Sequence, residues 1–296
     1  MDATSLTQRV LMPGLFVVLW STGFIVSKAG LPYAEPLTFL AVRFLLVLAI
    51  MLPVTLVMGA RWPRGMTVLH VAWVGVLVQT GYLAGIYVAI SRGVPAGLSA
   101  LIVGAQPLLT AALSARLTGE QIAGRQWLGL AIGFAGIALV MVDRLAFGGS
   151  DAIGLLLCVV AVIAITIGSL HQKRHCVGAD LRSGAVIQYA AAVLPVMILA
   201  PLFETMAIHW TMPFVVSMAW LVLVLSIGAI SLYYVLIRRG AAARVASMFY
   251  LVPPTTALMG YALFGETLSL ITVLGMVLAA LGVALVNRTN GANRSD

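Results

Sequence analysis

The chain has 296 residues, of which 62% are hydrophobic and 9% are charged, and its mean hydropathy is +1.09. A soluble domain needs roughly a quarter of charged residues, so this composition excludes a soluble protein and predicts an integral membrane protein. The net charge is +8. Because the basic residues lie in short loops between apolar runs, and no basic patch is interleaved with aromatic residues, we expect no nucleic-acid partner. Cys158 and Cys176 offer neither a disulfide framework nor a metal pair, so we expect inert thiols and no cofactor.

Ten apolar runs follow one another along the chain, each of about 20 residues and therefore long enough to cross roughly 30 Å of hydrocarbon. Proline and glycine punctuate the short connections between them, as expected of helix ends. The first run can span the membrane and no small-residue cleavage site follows it, so we expect it to be retained. The predicted spans are 10–30, 36–58, 67–90, 95–117, 124–142, 152–171, 183–203, 213–237, 241–264 and 268–287.

The basic residues predict the orientation of these spans. If the N-terminus is cytoplasmic, thirteen Lys and Arg residues share its side and only Arg92 and Arg144 lie outside. Because basic residues accumulate in cytoplasmic loops, both termini are predicted to be cytoplasmic. Lys28 and Arg43 are left within or at the edge of spans.

A long internal repeat divides the chain into two halves, 1–146 and 147–296. The stretch from Leu117 to Val140 matches the stretch from Leu263 to Val286 at nine of 24 positions, 146 residues later. A period this long indicates a duplicated domain. Since each half has five spans, the second half is predicted to be inverted relative to the first, an arrangement typical of transporters.

Polar residues inside apolar spans are the candidates for function. In the first span, Trp20 and Ser21 either pack a helix interface or face a polar cavity. Arg43 lies about two turns inside the second span, where a guanidinium needs a polar partner. Two interpretations are open: a structural Arg held by loop groups, with Glu35 the nearest acid in the sequence, or an Arg that binds a substrate carboxylate.

Prolines mark matching places in the fourth and ninth spans. Pro107 follows Gln106, and in the second half Pro253 and Pro254 follow Tyr250. A proline in a span frees a backbone carbonyl and bends the helix, so these sites are predicted either to be hinges beside a substrate site or to be fixed kinks.

The acidic residues and the histidines are interpreted as structural rather than catalytic residues. Glu120 and Glu266 fall at span ends, where each can cap the next helix or pair with an Arg. His171, near a cytoplasmic end, is interpreted as a solvated histidine, with a proton relay as the alternative. No carboxylate is expected deep in a span. An enzyme would need such an acid, a histidine pair or a nucleophile with its base, so we expect no catalytic residue.

Several of these motifs together resemble the drug/metabolite transporter superfamily, in its ten-helix family built from EamA domains. The resemblance covers nearly the whole chain and is carried by Trp20-Ser21-Thr22-Gly23 with Lys28, Pro36 with Arg43, Arg92-Gly93, Gln106-Pro107, and Gly119-Glu120 with Leu128-Gly129 and Gly136. It implies an all-α membrane protein with ten transmembrane helices in two inverted five-helix repeats. It further implies a central cavity lined by helices 1, 3, 4, 6, 8 and 9. Ile165 replaces the Trp often found in the second copy of helix 1, so a symmetrical aromatic lining is not implied.

The sequence therefore predicts a multi-pass transporter of the bacterial inner membrane, an exporter of small metabolites such as amino acids that works by alternating access. Efflux of drugs or toxic compounds, metabolite uptake and a non-transporting scaffold remain the alternatives. The expected partners are a small-molecule substrate and the lipid bilayer, and the expected state is a monomer or weak homo-oligomer. The residues predicted to bind substrate are Trp20, Ser21, Arg43, Gln79, Tyr82, Tyr87, Ser99, Gln106, Ser231, Tyr234 and Tyr250.

Overall fold

The structure, a computed structural model, describes residues 11–94, 99, 102–117, 122–142, 152–239, 242–264 and 270–287. Glu120 and Glu266, for which a capping or pairing role is predicted, lie outside the described residues. Within them the chain is almost wholly helical, and the only extended pairing is one antiparallel bridge between Ala34 and Ile208. The predicted all-α class is confirmed over this part of the chain.

Ten helical segments, named α1 to α10, make up the described chain. They are α1 (Met12–Gly30), α2 (Pro36–Val57), α3 (Met66–Ser91), α4 (Gln106–Leu117), α5 (Gly124–Val142), α6 (Ala152–His175), α7 (Leu181–Phe203), α8 (Met212–Arg239), α9 (242–264) and α10 (Leu270–Asn287). Six of them, α1, α2, α3, α6, α7 and α8, are long and apolar enough to cross a membrane, and each matches a predicted span. A further apolar stretch, Val273–Val286 in α10, is shorter.

Local sequence explains where several helices begin. Pro36 opens α2 at the first helical position, where the missing N–H group would have no intrahelical partner. Asp180 caps α7, and its carboxylate accepts a hydrogen bond of 2.9 Å from the backbone N–H of Arg182. Thr211 caps α8 in the same way, accepting from the N–H of Phe214 at 3.4 Å. The apolar runs are therefore bounded by residues that favour helix starts.

The strongest part of the sequence repeat forms a contact between α5 and α10. A side chain added at Gly282 would lie 2.5 Å from the backbone of Gly133, and one added at Gly129 would lie 2.8 Å from the carbonyl oxygen of Gly282. Gly136 likewise packs against the backbone of Ala279. Residue numbers rise along one helix as they fall along the other, so the two helices are antiparallel. Small residues allow this close approach, which explains why both copies carry glycine at the same spacings.

Two π-helical segments lie at matching places in the two halves. Val76–Ala84 interrupts α3, and Leu221–Ala229 interrupts α8. Wider helical turns of this kind often occur at functional sites. Both segments contribute residues to the cavity described below.

The helices of the two halves interleave. From the first half, α1 packs against α8 and α9, whereas α6 of the second half packs against α3 and α4. In addition, α2 packs against α7. The interior between the halves is therefore built from helices of both copies.

Candidate functional site

A cavity of about 260 Å³ lies between α1, α2, α3 and α8. This is slightly below the ~300–1,000 Å³ typical of sites for drug-sized ligands, so it suits a small molecule. Most of the wall is aliphatic, and α3 and α8 contribute it partly through their π-helical segments. The lining residues are Trp20, Gly23, Ser27, Leu31, Arg43, Val78, Tyr82, Leu83, Ile86, Tyr87, Ile90, Leu221, Leu225 and Ile230.

Arg43 supplies the cavity with its fixed positive charge. It is 4% exposed, and its Nε donates a hydrogen bond of 2.8 Å to Ser226 Oγ on α8. Its Nη1 donates to the hydroxyl of Tyr87 on α3 at 3.2 Å, and that hydroxyl is also hydrogen-bonded to Ser27 on α1. The guanidinium, which comes from α2, is therefore held directly by α3 and by α8 of the second half, and Tyr87 links it to α1. Since an Arg has five N–H donors, this geometry leaves three that no described residue accepts.

The carboxylates of the described chain lie away from Arg43. Glu35 accepts hydrogen bonds from the N–H and hydroxyl of Thr205, both at 2.7 Å. Glu204 binds the start of α2, and Asp180 binds Arg182. Glu35, the nearest acid in the sequence, is therefore not the partner of Arg43, and hydroxyl groups rather than a described acid hold the guanidinium.

Trp20 lines one end of the cavity and packs against three further aromatic rings. Trp20 lies 5.2 Å from Phe16, 5.1 Å from Phe249 and 5.7 Å from Tyr233, measured between ring centroids. Phe16 and Tyr233 stack at 5.5 Å, and the hydroxyl of Tyr233 is hydrogen-bonded to Ser169 of α6 at 2.7 Å. We call Phe16, Trp20, Tyr233 and Phe249 the aromatic floor. Opposite the floor, the cavity reaches Leu31 and Ile90, beside the ends of α1 and α3.

Four of the predicted substrate-binding residues meet in this cavity: Trp20, Arg43, Tyr82 and Tyr87. Helices 1, 3 and 8 contribute lining residues, as the family resemblance implies. Arg43 adds helix 2, and within the described chain helices 4, 6 and 9 contribute none.

Other predicted residues make contacts outside the lining. Ser21 donates to the carbonyl oxygens of Val17 at 2.7 Å and of Val252 at 3.3 Å, so it joins α1 to α9. Ser99 accepts a weak hydrogen bond from the thiol of Cys158 at 3.5 Å. Ser231 is half-buried and is not part of the lining.

Four further candidates are buried outside the lining, with polar atoms that make no hydrogen bond in the part of the chain described. The side-chain amides of Gln79 and Gln106 and the hydroxyls of Tyr234 and Tyr250 form this group. Buried polar groups are seldom left without partners. These four could bind a substrate only in a conformation that brings the cavity to them.

The candidate hinge prolines occupy matching positions in the two halves. Pro107 lies in the first turn of α4, directly after a turn at residues 104 and 105. Pro253 and Pro254 lie in the first turn of Val252–Phe264, directly after a 3₁₀ turn at Met248–Leu251. Both helical paths are therefore broken just before the prolines, where a missing N–H costs little.

The second half repeats the Arg43 arrangement without the charge. Gln188 occupies the same place in α7 as Arg43 in α2, counted from the helix starts. Its amide nitrogen donates to Gln172 Oε1 of α6 at 3.2 Å. At offsets one residue shorter and one residue longer than 146, Gln172 corresponds to Ser27 and Tyr234 corresponds to Tyr87. The two halves therefore share a polar group of similar position but different charge.

Two features outside the cavity bear on other functions. His70, His171 and His175 lie together at the ends of α3 and α6, with ring centroids 4.5 to 5.0 Å apart, and His171 Nε2 is 3.1 Å from His70 Nδ1. Sequence reasoning missed this histidine contact. Among the described residues no group of three or more His, Cys, Asp or Glu is arranged to hold a metal.

Burial raises the pKa of the Cys176 thiol to about 11, which agrees with an inert thiol.

Proteins described as transporters are similar in sequence to this chain over most of its length. The long apolar helices and the two sequence repeats are those of a multi-pass membrane transporter. The model of the EamA-like transporter family matches residues 10–142 and 152–288, so the chain belongs to this family.

Curated relatives cover most of the chain. It is 28% identical to an uncharacterized transporter, YvbV, of Bacillus subtilis, over 98% of this chain and 94% of the relative. It is 29% identical to an uncharacterized inner membrane transporter, YedA, of Escherichia coli K12, over 91% and 87%. It is 30% identical to a probable amino-acid metabolite efflux pump of Salmonella typhimurium, over 91% of each. A crystal structure with 19% identity shares the fold, with a TM-score of 0.78 over 94% of this chain and 97% of that one.

Proposed function

We propose that the protein is an exporter of small metabolites such as amino acids, and that it moves them by alternating access between its two repeats. The observation that carries the proposal is the cavity between helices of both halves, with the aromatic floor packed around Trp20 at one end and helix ends at the other. We propose that the floor closes the first end. A single site closed toward one end is what alternating access requires of each of its states. The efflux function named for the Salmonella relative supports the direction.

The site residues of this exporter are Trp20, Arg43, Tyr82 and Tyr87 in the conformation described. Gln79, Gln106, Tyr234 and Tyr250 are proposed to meet the substrate after the helices move, since their polar atoms are buried and unbonded in the described chain. The breaks before Pro107 and before Pro253 are proposed as the hinges of that movement.

In the membrane, we propose ten spans with both termini in the cytoplasm. The thirteen-to-two distribution of basic residues supports this orientation. A fluorescent protein fused after Asp296 should fluoresce in cells, and alkaline phosphatase fused at the same place should stay inactive. An active phosphatase would overturn the topology.

Transport itself is tested in proteoliposomes loaded with mixtures of radiolabelled metabolites, including amino acids, with and without a pH gradient. We expect protein-dependent movement of a subset of compounds, reduced in variants of Trp20 and Arg43. Protein that is correctly inserted, yet moves no compound of the set above the rate of empty liposomes, would contradict the proposal and favour a scaffold.

A further inference from the structure

We propose that the cavity binds an apolar monocarboxylate, with its carboxylate on Arg43 and its apolar body against the aliphatic wall, and that a substrate amino group makes no favourable contribution. This rests on the proposed function and narrows its small metabolites to apolar carboxylic acids without a free amine. It makes a carboxylic acid, or an amino acid whose amine is acylated, a better ligand than the free amino acid.

Arg43 places a positive charge inside a membrane span. A guanidinium within a membrane span is costly unless it is paired or faces water. Its contacts here are the neutral hydroxyls of Ser226 and Tyr87, at 2.8 and 3.2 Å. No described carboxylate contacts it, because Glu35, Glu204 and Asp180 bind other groups. A ligand anion would supply the missing partner.

Three N–H groups of the Arg43 guanidinium are available to a ligand. Ser226 takes the Nε proton and Tyr87 takes one Nη1 proton, which leaves both protons of Nη2 and one of Nη1. A planar guanidinium binds a carboxylate through two parallel N–H groups. Because the two hydroxyls hold the guanidinium in place, less conformational entropy is lost when the ligand binds.

The rest of the cavity lining is mainly aliphatic. Most of it is Leu, Ile and Val, and its other polar groups are the hydroxyls and the Trp20 indole. An ammonium group in this cavity would lie near Arg43 without a described carboxylate to balance it, so its desolvation would be uncompensated. The lining therefore favours one negative charge and an apolar body.

A set of four phenyl compounds of similar size separates these contributions. They are 3-phenylpropionate, its neutral amide 3-phenylpropanamide, phenylalanine and phenethylamine, and their binding is measured by calorimetry on the full chain in nanodiscs. We expect 3-phenylpropionate to bind most tightly, at least about tenfold more tightly than the amide. We expect phenylalanine to be weaker than 3-phenylpropionate, and phenethylamine to show no binding.

Variants then assign the preference to Arg43. Arg43→Gln should lower the affinity for 3-phenylpropionate at least about tenfold, to that of the amide, and leave amide binding unchanged. Retained amide binding also shows that the variant is folded. Arg61→Gln, the same change at an exposed loop position, is the matched control and should leave every affinity unchanged. If Arg43→Gln does not fold, Ser226→Ala is the second variant. It should reduce the ratio of the affinity for 3-phenylpropionate to that for the amide several-fold, because it removes the acceptor that holds Nε of Arg43.

The outcomes separate the two proposals. Equal binding of acid and amide to the wild-type protein, tighter binding of phenylalanine than of the acid, or no binding of any of the four would overturn the carboxylate assignment, even if transport of other compounds is found. Binding of 3-phenylpropionate with the expected preference, in protein that moves no compound of the metabolite set in proteoliposomes, would leave the site assignment standing and overturn the transport proposal.

Discussion

The carboxylate of Glu204, at the end of α7, binds Thr38 in the first turn of α2. One oxygen accepts hydrogen bonds from both the N–H and the hydroxyl of Thr38, and the other accepts from the N–H of Leu37, all at 2.7 Å. In return, Glu35 before α2 accepts two hydrogen bonds from Thr205 after α7. A carboxylate at a helix N-terminus satisfies free N–H groups and opposes the positive end of the helix dipole. The two repeats are thereby fastened at this end.

Replacing Glu204 with Gln should destabilise the protein. The amide can accept fewer of these hydrogen bonds and carries no charge, so we expect a loss of about 1–2 kcal/mol in the free energy of unfolding. Thermal unfolding in detergent measures it. Glu35→Gln is the matched control, and we expect a smaller loss because its hydrogen bonds to Thr205 are exposed. A greater loss for Glu35→Gln than for Glu204→Gln would contradict this account.

The contact between α5 and α10 gives a second prediction. Gly282→Ala places a methyl group 2.5 Å from the backbone of Gly133, which forces the helices apart and should cost about 1–3 kcal/mol. Gly124→Ala, at the start of α5, is the control because nothing lies within 4 Å of the added atom. The two variants are compared by their monodispersity and thermal stability in detergent. Equal stability of both variants and the wild type would refute the close packing.

The aromatic floor predicts one-sided access to the cavity. In a cysteine-free background, Ile86→Cys places a reporter in the lining. A membrane-impermeant thiol reagent should modify it from the side where α2 begins and much more slowly from the other. Adding Tyr233→Ala removes one ring of the floor and should raise the rate of thiol modification from the slower side. Tyr233→Phe keeps the ring and should leave that rate unchanged. Equal modification from both sides without the floor variants would show that the floor does not close the cavity.

Asp180 predicts an acid-dependent stability. Hydrogen bonds from Arg182, at 2.7 and 3.1 Å from its side chain, hold the pKa of Asp180 at about 2. Because this pKa is lower in the folded state than in the unfolded state, the stabilisation is complete above about pH 4 and is lost as the pH falls toward 2.

The variant Asp180→Asn isolates that effect, because Asn is a comparable helix cap without the charge. Since Arg182 is 37% exposed, we expect the variant to be less stable than the wild type by under about 1 kcal/mol at pH 6. The difference should shrink as the pH falls toward 2 and vanish below it. A difference that stays constant across this range would mean that the charge of Asp180 contributes nothing.

Much of the architecture could be predicted from the sequence because membrane spans and duplications leave long-range patterns. The six long spans, the two repeats and the four polar residues that meet in the cavity all stand out against an apolar background. Arg43 is the clearest example, since a charge inside a span has few structural explanations.

The remaining features depend on contacts that no local pattern encodes. Ser27 and Ser226 were missed because a small hydroxyl in an apolar helix commonly bonds its own backbone. Leu225 and Ile86 could not be told from lipid-facing residues, since both surroundings are apolar. Glu35 is the acid nearest to Arg43 in the sequence, but it binds Thr205 because α7 ends beside it. The π-helical segments likewise have no distinct sequence signal.

The difference between Arg43 and Gln188 makes the two repeats chemically unequal, although their helices correspond. An anion that passes both would meet a fixed cation in one and a neutral amide in the other, and its dissociation constants at the two faces would then differ. Detailed balance then requires that the equilibrium between the two conformations differ between the empty and the loaded protein by the same free energy. One arginine in place of a glutamine would thus make binding of the anion shift the transporter from one orientation toward the other.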